Sequence, residues 1–272
     1  MLVPLVALAG VGAVTAALGV AEALAVVRTD RDLRVDGLPR GLDGLRVAHV
    51  SDLHLGAVGV NRRAAERAVG LVVDARPDLI AITGDLLSHP RGVPDLLRLV
   101  ERLDAPLGVY AILGNHDVGE VRDPLSRPSE TPDLDAVGVR LLRDETAIVE
   151  HAGCRVAISG LEPRRPDGPE PPAPWPRPDA DLHLVLSHYP EAFDDAPGDA
   201  GDVVLAGHLH GGQICVPWPG GRLRLSQLGH RYAEGEYRRG HAVMHVTRGV
   251  GTTFVPFRLL ARPEVTVLRL VG

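Results

Sequence analysis

Side chains that can bind metal ions follow five separate apolar runs in this sequence of 272 residues. The five motifs are Asp52-Leu53-His54, Gly84-Asp85, Gly114-Asn115-His116-Asp117, His188, and Gly207-His208-Leu209-His210. Each motif by itself is typical of a polar turn, because Gly, Asn and Asp favour turn conformations. Imidazole and carboxylate groups are also ligands for first-row metals. Because such groups recur at five successive run ends, the sequence predicts that they converge on one metal site.

The number of ligands favours two metal ions over one. Apart from His116 and Asp117, the motifs supply two aspartates, four histidines and one asparagine. A single first-row ion binds about four to six ligands and often keeps water among them, whereas two ions that share Asp85 account for all seven side chains. Two metals about 3.5 to 4 Å apart can clamp a phosphoryl group and hold a hydroxide for in-line attack. A pair of ions bound in this way would suit chemistry on a phosphoryl group.

Three strands and two helices in the first half of the chain position the first three motifs. Apolar runs predict strands over 45–50, 78–83 and 108–113, and helical patterns run from Asn61 to about Ala75 and over 94–103. This order indicates a mainly parallel sheet with right-handed crossovers and helical cover. Because ligands bind outside the carboxyl ends of parallel strands, we expect the motifs at one edge of that sheet.

The second half of the chain has a different pattern, in which Gly and Pro separate short apolar runs and few helices intervene. The runs cover 139–142, 147–150, 155–159, 182–187, 203–206, 241–246 and 265–270. They predict a second, more antiparallel sheet packed on the first. The expected fold class is α/β, with two packed mixed β-sheets flanked by helices in one domain over 45–272. A short helix is predicted over 132–137, and the proline-rich segment 162–178 is predicted to be a surface excursion.

Composition excludes several classes of protein. The chain is 45% hydrophobic and has a formal net charge of −6, so it can bury a core and is not disordered throughout. A negative chain without a basic run is not expected to bind nucleic acid non-specifically, since that binding requires clustered cations. Cys154 and Cys215 are too few for a disulfide scaffold and are predicted to be buried.

The N-terminal segment 1–27 is apolar and carries one charged side chain, Glu22. At about 1.5 Å per residue, a helix of this length crosses a hydrocarbon core of about 30 Å. A single membrane anchor is favoured over a cleaved signal peptide, because no basic residue precedes the apolar run, and over a buried helix. Residues 28–44 are predicted to be a juxtamembrane linker. Their arginines favour a cytoplasmic catalytic domain, although interleaved aspartates leave the side of the membrane open.

In order and context, the five motifs resemble those of the calcineurin-like metallophosphoesterase superfamily, namely Asp-x-His, Gly-Asp, Gly-Asn-His-Asp/Glu, a single His, and Gly-His-x-His. The match runs from about Leu45 to Gln213. The segments Arg248-Gly249-Val250-Gly251 and Arg262-Pro263-Glu264-Val265, with Arg258, resemble the end of a bacterial branch that has an N-terminal membrane segment or export signal. The resemblance implies a four-layer sandwich of two sheets and flanking helices.

The resemblance also implies a role for each motif residue. The first metal would be bound by Asp52, His54, Asp85 and His210, and the second by Asp85, Asn115, His188 and His208. His116 would lie beside the metals and protonate the leaving oxygen, while Asp117 would orient its ring. Many members have an acidic partner for this histidine three residues after the bridging aspartate, where this chain has Ser88. The implied cofactors are two divalent ions: Mn, Fe, Zn or a mixed pair.

Two arginines of the C-terminal segment have two open interpretations. Arg248 and Arg258 are predicted either to bind a substrate phosphate in a bidentate manner or to form structural pairs at the sheet edge.

The expected function is metal-dependent hydrolysis of phosphate mono- or diesters at a membrane, and a lipid-linked phosphate is one substrate hypothesis. The alternative is a non-catalytic, membrane-tethered scaffold that retains the metal site, against which the presence of all seven ligands and His116 argues. A redox metal site is a further alternative, which the absence of thiolate ligands disfavours.

Overall fold

The computed structural model describes residues 2–121, 123–164, 175–197, 202–226 and 228–272. Its helices are α1 (Leu2–Leu24), α2 (Asn61–Ala75) and α3 (Val93–Val100). The strands of its first part are β1 (Val27–Arg34), β2 (Arg46–Val50), β3 (Leu79–Thr83), β4 (Val109–Ile112), β5 (Val139–Leu141), β6 (Glu145–His151) and β7 (Cys154–Gly160). Those of its second part are β8 (Leu182–Ser187), β9 (Asp202–Ala206), β10 (Cys215–Trp218), β11 (Gly221–Arg224), β12 (Gly235–Arg239), β13 (Ala242–Val246) and β14 (Glu264–Val271).

The first sheet has the strand order β1-β14-β2-β3-β4-β5. Strands β2 to β5 are parallel, whereas β14 pairs with β2 in the antiparallel direction. Helix α2 follows β2, helix α3 follows β3, and both cover the same face of the sheet. These elements confirm the predicted βαβαβ arrangement. It could be predicted because the apolar periodicity of its helices and strands is pronounced. The short helix predicted over 132–137 is a 3-10 turn at Asp135–Val137.

The second sheet has the strand order β12-β13-β9-β8-β7-β6. Strands β13, β9, β8 and β7 are parallel, and the edge strands β12 and β6 are antiparallel to their neighbours. This sheet is therefore less antiparallel than the sequence predicted. The crossover from β8 to β9 contains a 3-10 helix over Pro190–Asp195. Because this connection lacks the periodicity of an α-helix, the sequence did not indicate that β8 and β9 are parallel. Of the proline-rich segment, residues 165–174 lie outside the described residues.

The core lies in layers on both sides of each sheet. On β2, Val47 packs between the two sheets, while Ala48 and Val50 pack under α2 and α3. Successive strand residues point to opposite faces, so one short run supplies two layers. On the outer face of the second sheet, Phe193 of the 3-10 helix packs against Met244. The two mixed sheets and their helices have the predicted fold class.

The N-terminal segment packs against the domain. Strand β1 pairs in parallel with β14 from Val27 to Arg34, so much of the segment 28–44, predicted to be a linker, is an edge strand of the first sheet. At the end of α1, the carboxylate of Glu22 accepts hydrogen bonds from the backbone N–H groups of Leu260 (3.0 Å) and Ala261 (2.7 Å). Among the helices of the described residues, none has both the length and the hydropathy that a membrane crossing requires.

Two histidines form a hydrogen bond between the sheets. Nδ1 of His49 lies 2.9 Å from Nδ1 of His245, and Nε2 of His49 lies 2.9 Å from Oγ1 of Thr83. Both rings are buried, and burial lowers both pKa values, that of His245 to about 4. The contact between the Nδ1 atoms needs one donor and one acceptor. It is therefore lost when both rings are protonated.

We predict that acid destabilises the fold through this pair. The pKa of His245 is about 4 in the folded protein, and an unfolded histidine has a pKa of about 6.5. The unfolded chain binds more protons between these values, so stability is lost as the pH falls from about 6.5 towards about 4. From about pH 7 to about pH 5 the loss is roughly 2 kcal/mol. His245→Asn should remove this part of the pH dependence in urea unfolding of chelator-treated protein.

A matched control is His230→Asn, because the side chain of His230 is 47% exposed and lies 3.5 Å from Glu191. This variant should keep the pH dependence of the wild type. If His245→Asn kept it as well, the buried pair would not be the source of acid sensitivity.

Candidate metal centre

The predicted ligands lie at the carboxyl ends of β2, β3, β4, β8 and β9, where the two sheets meet. β2, β3 and β4 are parallel neighbours in the first sheet, and β8 and β9 are parallel neighbours in the second. The loops that follow parallel strands emerge at the same edge. Two sheets packed face to face thus bring five loops together, which agrees with the position expected from the sequence.

One group of ligand atoms comes from Asp52, His54 and His210, each of which offers one atom, and these three atoms lie within 4.8 Å of one another. Nε2 of His210 lies 3.5 Å from Oδ1 of Asp52 and 3.1 Å from Nε2 of His54. Nε2 of His54 in turn lies 3.4 Å from Oδ2 of Asp85. These four residues are the predicted ligands of the first metal.

A second group comes from Asp85, His188 and His208, with the same 4.8 Å limit between ligand atoms. Nε2 of His188 lies 3.3 Å from Oδ2 of Asp85 and 3.0 Å from Oδ1 of Asn115. Nδ1 of His208 lies 3.1 Å from Nε2 of His188. These are the predicted ligands of the second metal. Oδ2 of Asp85 lies next to ring nitrogens of both groups, as a bridging ligand would.

Five of the seven predicted ligands have left-handed backbone conformations. They are Asp52 (φ 58°), His54 (φ 46°), Asp85 (φ 53°), His208 (φ 72°) and His210 (φ 48°). Such a conformation costs a residue with a side chain roughly 1–2 kcal/mol, so tertiary contacts must maintain it. Convergence of the ligands therefore depends on tight left-handed loops at the strand ends.

Two glycines leave space for the aspartate carboxylates. A Cβ atom on Gly114 would lie within van der Waals overlap of Oδ1 of Asp85, and one on Gly207 would lie 2.6 Å from Oδ2 of Asp52. Any larger residue at either position would displace a ligand. The glycines of Gly-Asn-His-Asp and Gly-His-x-His therefore have a steric reason to precede the ligands.

The charges of the centre favour a bound cation. Burial opposes protonation of His188, but the carboxylates of Asp85 and Asp52 outweigh burial and raise the pKa of His188 to about 9. Burial and the positive charge of His188 lower the pKa of His208 to about 3. Without metal, a proton on His188 therefore compensates the two buried carboxylates. Two carboxylates, neutral imidazoles and an amide oxygen fit two divalent ions of the Mn, Fe or Zn type.

His116 lies beside the two ligand groups. Its ring is 4.5 Å from that of His54 between centroids, and its Nδ1 atom lies 3.3 Å from Oγ of Ser88 and 3.2 Å from Oγ of Ser126. Burial, followed by the neighbouring His54, lowers the pKa of His116 to about 4. A general acid at neutral pH must be protonated, so the negative charge of a bound phosphate ester would have to raise this pKa.

The hydrogen bonds of the Asp117 side chain go to backbone groups and not to the ring of His116. Its carboxylate accepts from the backbone N–H groups of Gly114 (2.8 Å), Leu86 (3.1 Å) and Leu87 (2.9 Å). Asp117 therefore holds the loop after β3 against the loop after β4. The resemblance implied that Asp117 orients the ring of His116, whereas these hydrogen bonds connect two loops.

Arg258 is fully buried and has no N–H group left for a substrate phosphate. Its guanidinium donates to the backbone carbonyls of Gly251, His210, Arg248 and Ala261 and to Nδ1 of His210 at 3.1 Å. These acceptors occupy all of the roughly five donors of an arginine. Of the two interpretations, the structural one fits Arg258, which fixes the ring of His210.

Arg248 also makes structural contacts. Its guanidinium forms an ion pair with Glu264, and its backbone N–H group donates to Oε1 of Glu264 at 3.1 Å. A second carboxylate, that of Glu234, lies 3.8 Å from Nε. The structural interpretation therefore fits Arg248 as well.

Three residues that contact the site belong to none of the five sequence motifs. Ser126 contacts His116, and Asp123 contacts Ser126, but both stand in a loop without a motif. Asn61 stands at the predicted start of a helix, and its side chain donates to the backbone carbonyl of His54 and forms hydrogen bonds with Thr252. An Asp-x-x-Ser spacing is an ordinary turn signal, and nothing local shows which side chain such a turn will meet.

Comparisons with known proteins agree with this geometry. Residues 45–212 match the family model described as calcineurin-like phosphoesterase. YkuE of Bacillus subtilis, an uncharacterized metallophosphoesterase, is 30% identical over 247 residues, which cover 89% of this chain and 84% of YkuE. Phosphodiesterase YaeI of Escherichia coli is 29% identical over 231 residues, which cover 83% of this chain and 82% of YaeI. UDP-2,3-diacylglucosamine pyrophosphatase LpxG of Chlamydia muridarum is 25% identical over 281 residues, which cover 84% of each chain.

We predict that Arg258→Lys weakens metal binding at the first site. Lysine keeps the positive charge but cannot hold the carbonyls and Nδ1 of His210 together. Loss of a partner that orients a ligand typically lowers metal affinity about 10–100-fold. Metal titration followed by elemental analysis should show weaker retention of one of two ions per chain. Arg269→Lys, which changes an exposed arginine paired with Asp32, is the control, and equal retention in both variants would contradict the prediction.

Proposed function

This chain belongs to the calcineurin-like phosphoesterase family and is a hydrolase acting on phosphate esters, and we propose that it works through two divalent metal ions bridged by Asp85. One observation carries this proposal: Oδ2 of Asp85 lies 3.4 Å from Nε2 of His54 and 3.3 Å from Nε2 of His188. One carboxylate oxygen thus stands between the two ligand groups. When bound, two such ions activate water and neutralise charge on the phosphoryl group.

The residues of the centre divide the work between binding and proton transfer. Asp52, His54, Asp85 and His210 would hold the first ion, and Asp85, Asn115, His188 and His208 the second. His116 would give its proton to the oxygen of the leaving alcohol or phenol, as a general acid. Its place among ligand atoms of His54 and Asp85, all within 4.8 Å, puts the ring at the edge of the phosphoryl site.

The substrate class that we propose is a phosphodiester or pyrophosphate presented at a membrane, with a lipid-linked phosphate as the specific candidate. YaeI is named a phosphodiesterase, and LpxG is named for a pyrophosphate that carries two acyl groups. The apolar segment 1–27 supports a single-pass membrane association, with the side of the membrane open.

We predict that the purified chain binds about two divalent ions and hydrolyses bis(p-nitrophenyl) phosphate. Asp85→Asn should lower turnover by at least about 100-fold, because removing the shared carboxylate weakens both sites. Turnover and metal content are measured on the same samples. Asp74→Asn, which changes an exposed aspartate on α2, should leave both unchanged.

The outcomes separate the proposal from its rival. Bound metal without hydrolysis of any phosphate ester would favour the non-catalytic scaffold. Absence of both metal and hydrolysis from the wild type would overturn the proposed dinuclear centre.

We also predict that the full chain, reconstituted in vesicles, cleaves a lipid-linked pyrophosphate in the same bilayer faster than soluble p-nitrophenyl phosphate. Sharing a surface raises the local concentration of substrate near the site. The control adds empty vesicles to the soluble assay, so that an effect of lipid on the enzyme itself is seen. Equal rates on both substrates would count against a membrane substrate but not against ester hydrolysis.

A further inference from the structure

A hydroxyl and a carboxylate that the metal centre does not use stand behind the His116 ring. Oγ of Ser126 lies 3.2 Å from Nδ1 of His116, and the same hydroxyl donates to Oδ2 of Asp123 at 3.1 Å. Asp123 is 6% exposed. A continuous chain of hydrogen bonds therefore runs from a buried carboxylate to the imidazole.

Asp123 is held in place by the backbone of two loops. Its Oδ1 atom accepts from the N–H group of Leu125 at 2.9 Å, and its Oδ2 atom accepts from the N–H group of Phe254 at 3.2 Å. These bonds orient the carboxylate independently of Ser126. The acceptor is thus preorganised for the Ser126 hydroxyl.

The direction of the hydrogen bonds determines what the chain does to His116. An ionised carboxylate only accepts hydrogen bonds, so the Ser126 hydrogen points to Asp123 and the Ser126 oxygen faces the ring. That oxygen then accepts the N–H hydrogen from Nδ1. The ring is held with Nδ1 as its inner donor, and Nε2 becomes the nitrogen that is available to exchange a proton with substrate.

Other polar groups near His116 do not replace this chain. Oγ of Ser88 lies 3.3 Å from Nδ1 of His116 and 2.9 Å from Nδ1 of His54, so this uncharged hydroxyl is shared with a predicted metal ligand. Asp85 accepts from the backbone N–H group of His116, not from its ring. Asp117 accepts from three backbone N–H groups.

We propose that Asp123, acting through Ser126, is a positioning residue for proton delivery by His116, in place of an acid at the position of Ser88. The inference rests on the proposed function, since it concerns the same hydrolytic step. In that step the oxygen of a water molecule forms a new bond to phosphorus, the bond from phosphorus to the leaving oxygen breaks, and the proton of Nε2 passes to that oxygen. One proton of the attacking water is released to solvent, from which Nε2 is protonated again. Asp123 and Ser126 hold the ring and do not touch the substrate.

This role has a signature in the leaving group. A p-nitrophenolate anion is stable and departs without a proton, whereas an unsubstituted phenolate needs one more strongly. General acid catalysis contributes about 10²–10⁴-fold where a proton is needed. Misplacing the acid should therefore slow phenyl esters far more than p-nitrophenyl esters. A general loss of structure or metal would slow both equally.

The experiment measures kcat for aryl phosphodiesters that range from p-nitrophenyl to unsubstituted phenyl, with metal content measured in parallel. Ser126→Ala and Asp123→Asn should each lower turnover of the phenyl ester about 10–100-fold and that of the p-nitrophenyl ester less than about 3-fold. The double variant should lose no more than either single variant, because both changes break one chain. Metal content should stay at the wild-type value.

Ser126→Ala separates positioning from loop structure, because it leaves the bonds of Asp123 to Leu125 and Phe254 intact. Glu130→Gln, which changes an exposed acid of the same loop, is the matched control and should not alter the dependence on the leaving group. If Asp123→Asn alone had an effect, or if the two changes were additive, the proposed chain would be wrong.

The results also distinguish this inference from the proposed function. A wild type that hydrolyses no member of the series would overturn the proposed function itself. A wild type that hydrolyses the series, with variants that slow every ester by the same factor, would overturn the role of Asp123 and leave the hydrolase assignment standing.

Discussion

The burial of the Asp85 carboxylate is the constraint on which the site depends. Its Oδ2 atom lies between the ring nitrogens of His54 and His188, and its Oδ1 atom accepts the backbone N–H group of His116 at 2.9 Å. Its backbone carbonyl accepts from the N–H group of His54 at 2.9 Å. One residue therefore ties together the loops after β2, β3 and β4. Removal of a carboxylate from water is unfavourable without compensating positive charge. A cation bound among the surrounding residues would supply that charge.

The loops around Asp85 are strained, and contacts outside the ligand set maintain them. Left-handed conformations at Asp52, His54 and Asp85 are unfavourable for isolated residues. Asp117 holds three backbone N–H groups of two loops, and Asn61 holds the loop after His54. The geometry of the ligand set therefore depends on buried hydrogen bonds made by residues outside that set.

The C-terminal segment connects the N-terminal helix with the metal centre. Glu22 accepts from the N–H groups of Leu260 and Ala261, and the backbone N–H group of Arg258 donates to the carbonyl of Gly19 at 3.0 Å. The guanidinium of Arg258 reaches Nδ1 of His210. The end of α1 and a predicted metal ligand are therefore both hydrogen-bonded to the same C-terminal segment.

The sequence by itself determined the metal-binding side chains, the βαβαβ half and the family, because residue chemistry and apolar periodicity are local properties. Helix α2 has the predicted bounds at both ends. The structure of the second sheet was harder to predict, because its parallel crossovers lack an α-helical period. Only the tertiary structure decided that Arg258 supports His210, 48 positions away, that Asp117 binds backbone, and that Asp123 reaches His116 through Ser126. The partner of a buried polar group depends on which distant segments packing brings within hydrogen-bond distance, and local sequence does not encode that choice.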